Sequence, residues 1–216
     1  RGLALLPVEL LATGDVLAVA VTVAAALRQT AVAARAQIAE LATLLATLDP
    51  PATLAAKLHR AIDRDGTNGE VGLADAASPT LASLRDRVRR ARTALRQAAE
   101  RLLRRPALAD AFGDAYVTER EGRVVVPVRA SAFSSSGAPG TLSGIIHDSS
   151  SSGQTLFVEP HALVDDNNAL RSAIAAARAE EQRIIAELSA EIGEHGERIA
   201  GCASALVRLD AVMRGC

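Results

Sequence analysis

The sequence predicts a mainly α protein: a helical core, a long antiparallel helical arm and a small β-rich element at the arm's tip. Three observations predict it. Apolar residues recur at 3,4 spacing from Leu81 to Leu102, and at similar spacing from Leu163 to Ile192, as in a heptad seam. About forty residues containing β-type runs separate the two segments. Hydrophobic residues make up 49% of the 216, but aromatics only 2%, so the core must be built from Ala, Leu, Val and Ile. Such a core suits helices packed closely through small side chains.

The elements follow in order. Residues 4–12 read as a short helix with Pro7 in its first turn, and Gly14-Asp15 as a break and N-cap. A helix rich in Ala and Leu is expected from Asp15 to about Thr47, ended by Asp49-Pro50-Pro51, because a proline disfavours helix in the residue before it. A further helix is expected over residues 52–62, followed by a turn-rich loop at 63–72. Ser78-Pro79 reads as a helix start, with serine capping free N–H groups and proline at the first helical position. Its seam is Leu81, Leu84, Val88, Ala91, Leu95, Ala98 and Leu102, with the helix ending at Arg105-Pro106. At 1.5 Å per residue it makes a rod of roughly 39 Å.

VVVPV at 124–128, GII at 144–146 and TLFV at 155–158 are β-type runs, joined by a flexible loop of small residues at 131–143. Pro127 cannot donate to a ladder, so it must lie on an edge or at a bulge. Helix returns after Pro160, weakens at Gly193 and Gly196, and resumes its seam through Ile199, Cys202, Leu206, Leu209 and Met213. A compact tip lets the second long helix run back along the first and bury both seams. Asn167 falls at a seam position, either as a register-setter or as a partly solvated residue near the helix start.

The stretch SGIIHDSSSSGQTLFVEP, residues 143–160, places Ser152, His147 and Asp148 close together. Nucleophilic catalysis needs a base hydrogen-bonded to the nucleophile, an orienting acid and an oxyanion hole. Adjacent strand residues point to opposite faces, so His147 and Asp148 should not support each other. There is no G-x-S-x-G elbow and no G-x-x-x-x-G-K-[ST] phosphate loop, and Lys57 is the only lysine. The four histidines are scattered, and Glu159 beside His161 suits a helix start better than a metal. Cys202 and Cys216 lack C-x-x-C spacing and read as small apolar residues.

Lys plus Arg number 24 against 25 Asp plus Glu, so any polyanion site must be a local patch. The preference for arginine over lysine is put down to genome composition. Arg85, Arg89, Arg92 and Arg96 share one helix face. Pairing with Glu180, Glu181 or Glu187 on the return helix is preferred to phosphate contact for them. Arg120, Arg123 and Arg129 at the tip have few acids nearby apart from Glu119 and Glu121, and are expected to contact phosphates. The apolar run 14–27 reads as too short to span a membrane, and the chain as a piece of a larger cytoplasmic protein.

Three blocks carry a family resemblance. VTEREGRVVVPVRAS, then SGIIHDSSSSGQTLFVEP, then DDNNALR resemble the lever and clamp region of the bacterial MutS family, in its mismatch-repair-independent MutS-two branch. Val124 stands where that family often has tyrosine, and Asp166 where it often has leucine. The resemblance implies a helical core over residues 1–77 and a descending lever helix over 78–113. A β-rich clamp over 114–160, an ascending lever helix over 161–192 and a return to the core over 193–216 follow. It implies nucleic-acid contacts by Arg120, Arg123, Arg129 and His147, a clamp held together by Asp148, Gly153, Thr155, Glu159 and Pro160, and lever register set by Asn167. The parent would be a cytoplasmic homodimer with an ATPase using ATP and Mg and with an endonuclease, none of them in this chain, which would have no cofactor and no turnover of its own. Its partners would be branched DNA, ribosomal RNA or the ribosome itself, and no membrane. It would suppress homologous recombination or rescue collided ribosomes. Two rivals stand beside it: a mechanical arm that touches protein or folded RNA, and a hydrolase using Ser152, His147 and Asp148.

Overall fold

The computed structural model describes residues 4–34, 46–66, 69–134, 138 and 140–214. Its main helices and strands, in order, are α1 (Pro7–Ala34), α2 (Ala52–Ala61), β1 (Ile62–Asp63), β2 (Gly72–Leu73), α3 (Pro79–Leu103), β3 (Thr118–Arg120), β4 (Arg123–Arg129), β5 (Gly144–Ser149), β6 (Thr155–Pro160), α4 (Val164–Glu194) and α5 (Gly196–Arg214). The chain divides into two compact units, residues 1–82 with 179–216, and residues 83–178. Residues 35–45 of the long helix expected up to Thr47, the Met213 side chain and Cys216 lie outside the described residues.

In the first unit, α1 runs unbroken through Gly14, where the sequence suggests a break. Gly14 is buried, and a Cβ there would stand 3.2 Å from Cβ of Leu58. The glycine admits α2 to close contact, and that packing outweighs its cost of about 1 kcal/mol in a helix interior. Leu10, Leu17, Leu54, Leu58, Ile184 and Leu188 are buried in one core that Leu81 also joins. Each leucine so buried contributes about 1.5–3 kcal/mol. A smaller cluster joins Ala20, Ala24 and Leu48 to Cys202 and Ala205. Burial pushes the Cys202 thiol above its ordinary pKa, against a reactive thiolate.

The segment Pro7–Gln29 of α1 is long and apolar enough to cross a membrane by length and composition, with a mean hydropathy of 2.1. The expectation that this run is too short therefore fails on length. Its stripe of Leu10, Leu17, Ala20 and Ala24 is nonetheless buried against protein. The loop expected over 63–72 is bracketed by a two-residue antiparallel ladder, Ile62 with Leu73 and Asp63 with Gly72.

Ser78 caps α3 as expected, its Oγ accepting from the Thr80 N–H at 3.1 Å and the Leu81 N–H at 3.4 Å.

In the second unit the sheet order is β3-β4-β6-β5, with all neighbours antiparallel. Strand β3 is absent from the sequence expectation because TER is polar. The turn after it makes the strand: Glu121 and Gly122 have φ of 52° and 72°. Positive φ at both centre positions is the two-residue hairpin geometry that matches strand twist. β3 pairs only as far as Val125, so Pro127 faces no strand on that side and meets the edge condition.

The register assigns the two faces of the sheet. Val124, Val126, Val128 and Val158 share a core with Leu95 and Leu102 of α3 and Leu170 of α4. Val88, Ala91 and Ile174 pack against the same core, so seam residues of both helices meet within this unit. The opposite face carries Arg120, Arg123, Val125, Pro127, Arg129, Phe157 and Glu159, of which Val125, Pro127 and Glu159 are also buried. Part of the loop 131–143 is tied down, with the Ser134 N–H donating to the Leu142 carbonyl at 3.1 Å; residues 135–137 and 139 lie outside the described residues.

Candidate nucleic-acid interface

The outer sheet face is organised around Glu159, which is fully buried. Arg123 Nη1 donates to its Oε1 at 2.5 Å, and His147 Nε2 lies 2.7 Å from its Oε2. A buried carboxylate without such partners would be too costly to keep ionised. Arg123 donates a second bond, from Nη2 to the Asn168 Oδ1 at 2.9 Å. Both ends of its fork are therefore committed, and its side chain is only 17% exposed. The expectation that Arg123 contacts phosphate meets this obstacle: the guanidinium holds Glu159 and α4 together. Glu159 sits in a strand, not at a helix start as the sequence suggests.

His147 reaches Glu159 through a bulge. Ile146 pairs with Val158 and Asp148 with Phe157, which leaves His147 as the extra residue. A bulge re-aims its side chain. Gly144 opens this strand, and a Cβ there would press on the Glu159 carbonyl and stand 2.7 Å from Cγ1 of Val158. The close approach of β5 to β6 requires the glycine.

Asp148 accepts from Arg120 Nε at 3.1 Å, and the Arg120 guanidinium lies over the Phe157 ring, 4.1 Å from its centroid. Arg120 keeps 35% of its side-chain surface exposed. Arg129 is exposed, at the end of β4 opposite Thr155, and has no ion-pair partner among the described residues. His147 and Asp148 thus serve different partners. Ser152 Oγ lies 3.3 Å from Ser150 Oγ, not beside the histidine, so no nucleophile–base pair forms. The serine run is a turn: Ser150 Oγ accepts from the Thr155 N–H at 3.1 Å, and Gly153 has a φ of 69°. Pro160 ends β6 and leads into the short turn His161–Leu163.

Asn167 is 1% exposed, which excludes the partly solvated reading. Its Oδ1 accepts from the Val124 N–H at 2.9 Å and its Nδ2 donates to the Val124 carbonyl at 3.1 Å. Extending the register of β4 and β6 would set Val124 opposite Pro160, which has no N–H to give. The asparagine amide takes the place of that strand partner, so its bonds go to strand β4 and not to the facing helix.

On α3 the arginines find acids within their own helix. Arg89 and Arg90 pair with Asp86, and Arg96 with Glu100. Of the return-helix acids expected as partners, Glu180 and Glu187 pair with Arg183.

No family model matches the chain. Curated relatives do. The chain is 43% identical over 145 residues to Endonuclease MutS2 of Pelotomaculum thermopropionicum, covering 67% of the chain and 18% of that protein. It is 40% identical over 153 residues to Endonuclease MutS2 of Geobacillus thermodenitrificans, covering 71% of the chain and 18% of the relative. With Endonuclease MutS2 of Lacticaseibacillus paracasei the identity is 36% over 173 residues, 80% of the chain and 20% of the relative. The match spans less than a quarter of the length of each of these relatives.

Proposed function

Because the chain belongs to the MutS2 family, we propose that its sheet-bearing unit is a nucleic-acid-contacting arm, with α3 and α4 as a lever and the four-stranded sheet as a clamp. The parent protein couples that arm to an ATPase and a nuclease carried elsewhere, works as a cytoplasmic homodimer with ATP and Mg, and restrains recombination or acts on collided ribosomes. The chain itself binds and transmits, and has no turnover.

The observation that carries this reading is the grouping of the sheet's ionic side chains on one face. Its apolar face is sealed by helices, and the ionic groups Arg120, Arg123, Arg129 and Glu159 stand on the other. Buried pairing makes that face rigid, and the exposed Arg129 and the half-exposed Arg120 are the groups able to meet a phosphate. The family name of the relatives, an endonuclease, fits a nucleic-acid ligand.

Fluorescence anisotropy with labelled branched DNA, duplex DNA and structured RNA tests the reading. Binding that falls steeply between about 50 and about 200 mM salt supports it, since released counterions set the slope. Arg120→Ala with Arg129→Ala is expected to narrow the preference for the branched probe. Absence of binding at low salt, or binding without salt dependence, would overturn the reading in favour of a protein-contacting arm.

A further inference from the structure

The near-neutral net charge of −1 hides a division. The unit of residues 83–178 has 14 arginines against 10 acidic residues, a net of +4, and the remainder has 10 basic against 15 acidic, a net of −5. The sheet region is not the source of the positive charge. Residues 106–163 hold three arginines and six acids. The excess lies in residues 85–105, with nine arginines and two acids, Asp86 and Glu100. Those two carboxylates serve Arg89, Arg90 and Arg96, whose side chains remain 61%, 77% and 73% exposed. Exposed pairs one turn apart are weak and exchange readily for another anion.

Helical geometry makes this charge a track. Arg90 and Arg101 project on the side of α3 away from the buried Leu95 and Leu102, and Arg104 follows in the turn after the helix. Arg101 and Arg104 are exposed and have no ion-pair partner among the described residues. From 85 to the helix end at 103 the rise is about 27 Å, the span of roughly eight base pairs at 3.4 Å per phosphate along one strand. Arginine's fork suits phosphate oxygens, and genome composition explains arginine over lysine but not the scarcity of acids on this one segment.

We infer that Arg90, Arg96, Arg101 and Arg104, on the exposed face of α3 and the turn that follows it, hold the phosphate backbone of a nucleic acid and supply most of the affinity, while the outer sheet face fixes orientation. The inference rests on the nucleic-acid reading above and relocates its main contact.

The test uses the 216-residue chain with fluorescein-labelled duplex DNA and duplex RNA of about 30 base pairs, long enough to cover the track. Three proteins are compared: wild type, Arg90/Arg96/Arg101/Arg104→Gln, and Arg120/Arg129→Gln. Glutamine keeps helix propensity and length, and far-UV circular dichroism with a thermal melt checks the fold. The four-arginine variant is expected to lose tenfold or more in affinity at about 100 mM salt. Its slope of log K against log salt should fall by about 3 to 4, near 0.9 per lost phosphate contact. The sheet variant should keep most of both. If the fourfold change unfolds the helix, Arg101→Gln and Arg104→Gln separately should each remove about 0.9 from the slope. The probe bound more tightly names the source of the backbone. Wild-type affinity and slope in the α3 variants, or loss confined to the sheet variant, would overturn the inference. A wild type that shows no salt-dependent binding would overturn the nucleic-acid reading along with it.

Discussion

The side-chain amide of Asn167 closes both backbone hydrogen bonds of Val124, at 2.9 Å and 3.1 Å, and so fastens α4 to strand β4. Both residues are buried, Asn167 at 1% and Val124 at 4% exposure. Asn167→Ala leaves a buried N–H and a buried carbonyl without partners. Each orphaned group costs about 1–3 kcal/mol, so the variant should lose about 2–5 kcal/mol in urea unfolding. Asn167→Asp keeps the acceptor for the Val124 N–H and should fall between. A loss below about 1 kcal/mol for the alanine variant would mean that water replaces the amide.

Glu159 is the second fixed point of the same face. Its carboxylate is sealed from solvent and depends on Arg123 and His147. Removing Arg123 should cost more than removing both charges, because a lone buried carboxylate is what destabilises. Arg123→Met is expected to lose about 3–5 kcal/mol, and Arg123→Met with Glu159→Leu clearly less than the sum of the single changes. A double-mutant cycle by denaturant unfolding measures the coupling. Strict additivity would show that the pair is not coupled.

Glu121 holds a φ of 52° in the β3–β4 turn, beside Gly122 at 72°. Glutamate tolerates that region poorly, and asparagine is several-fold enriched there. Glu121→Asn builds the Asn-Gly hairpin turn and should raise stability by about 0.5–1 kcal/mol. A thermal melt that shifts down would mean that the glutamate side chain has a role outside the turn.

These three positions mark where sequence reasoning reaches and where it stops. The start of α3 at Ser78-Pro79 and the packing of Leu95 and Leu102 against Leu170 were legible because capping and heptad spacing are local signals. Strand β3 was not, because Thr118-Glu119-Arg120 has no apolar alternation and Glu121-Gly122 lacks the usual turn residues. Gly14 misled because a glycine that marks a helix break and one that admits a neighbouring helix look alike in one dimension. The arginines of the tip were recognised as a group, but nothing local says that Arg123 is consumed by a glutamate 36 positions later. Ionic partners across a sheet are set by register, and register needs the fold.

The last prediction concerns acid. Glu180 accepts from Arg183 Nε at 2.7 Å and Nη2 at 2.8 Å, and from the Ser78 hydroxyl at 3.0 Å. The Arg183 hydrogen bonds chiefly lower its pKa, from the ordinary 4.5 to about 2; burial opposes them and Ser78 assists. Arg183 is correspondingly raised. A carboxyl lowered on folding stabilises the native state above its unfolded pKa, and that contribution is lost as pH falls through the folded value. The melting temperature of the wild type should therefore exceed that of Glu180→Gln by a constant amount above about pH 5 and converge on it as pH falls from 4.5 to about 2. Arg183→Gln should abolish most of this acid dependence and Ser78→Ala a smaller part. Because Ser78 also caps α3, its variant should keep a pH-independent loss of about 1 kcal/mol after the acid-dependent part has gone. Parallel melting curves for wild type and Glu180→Gln down to pH 2 would mean that Arg183 stabilises the protonated and ionised carboxyl alike, and the pair would then matter for packing and not for charge.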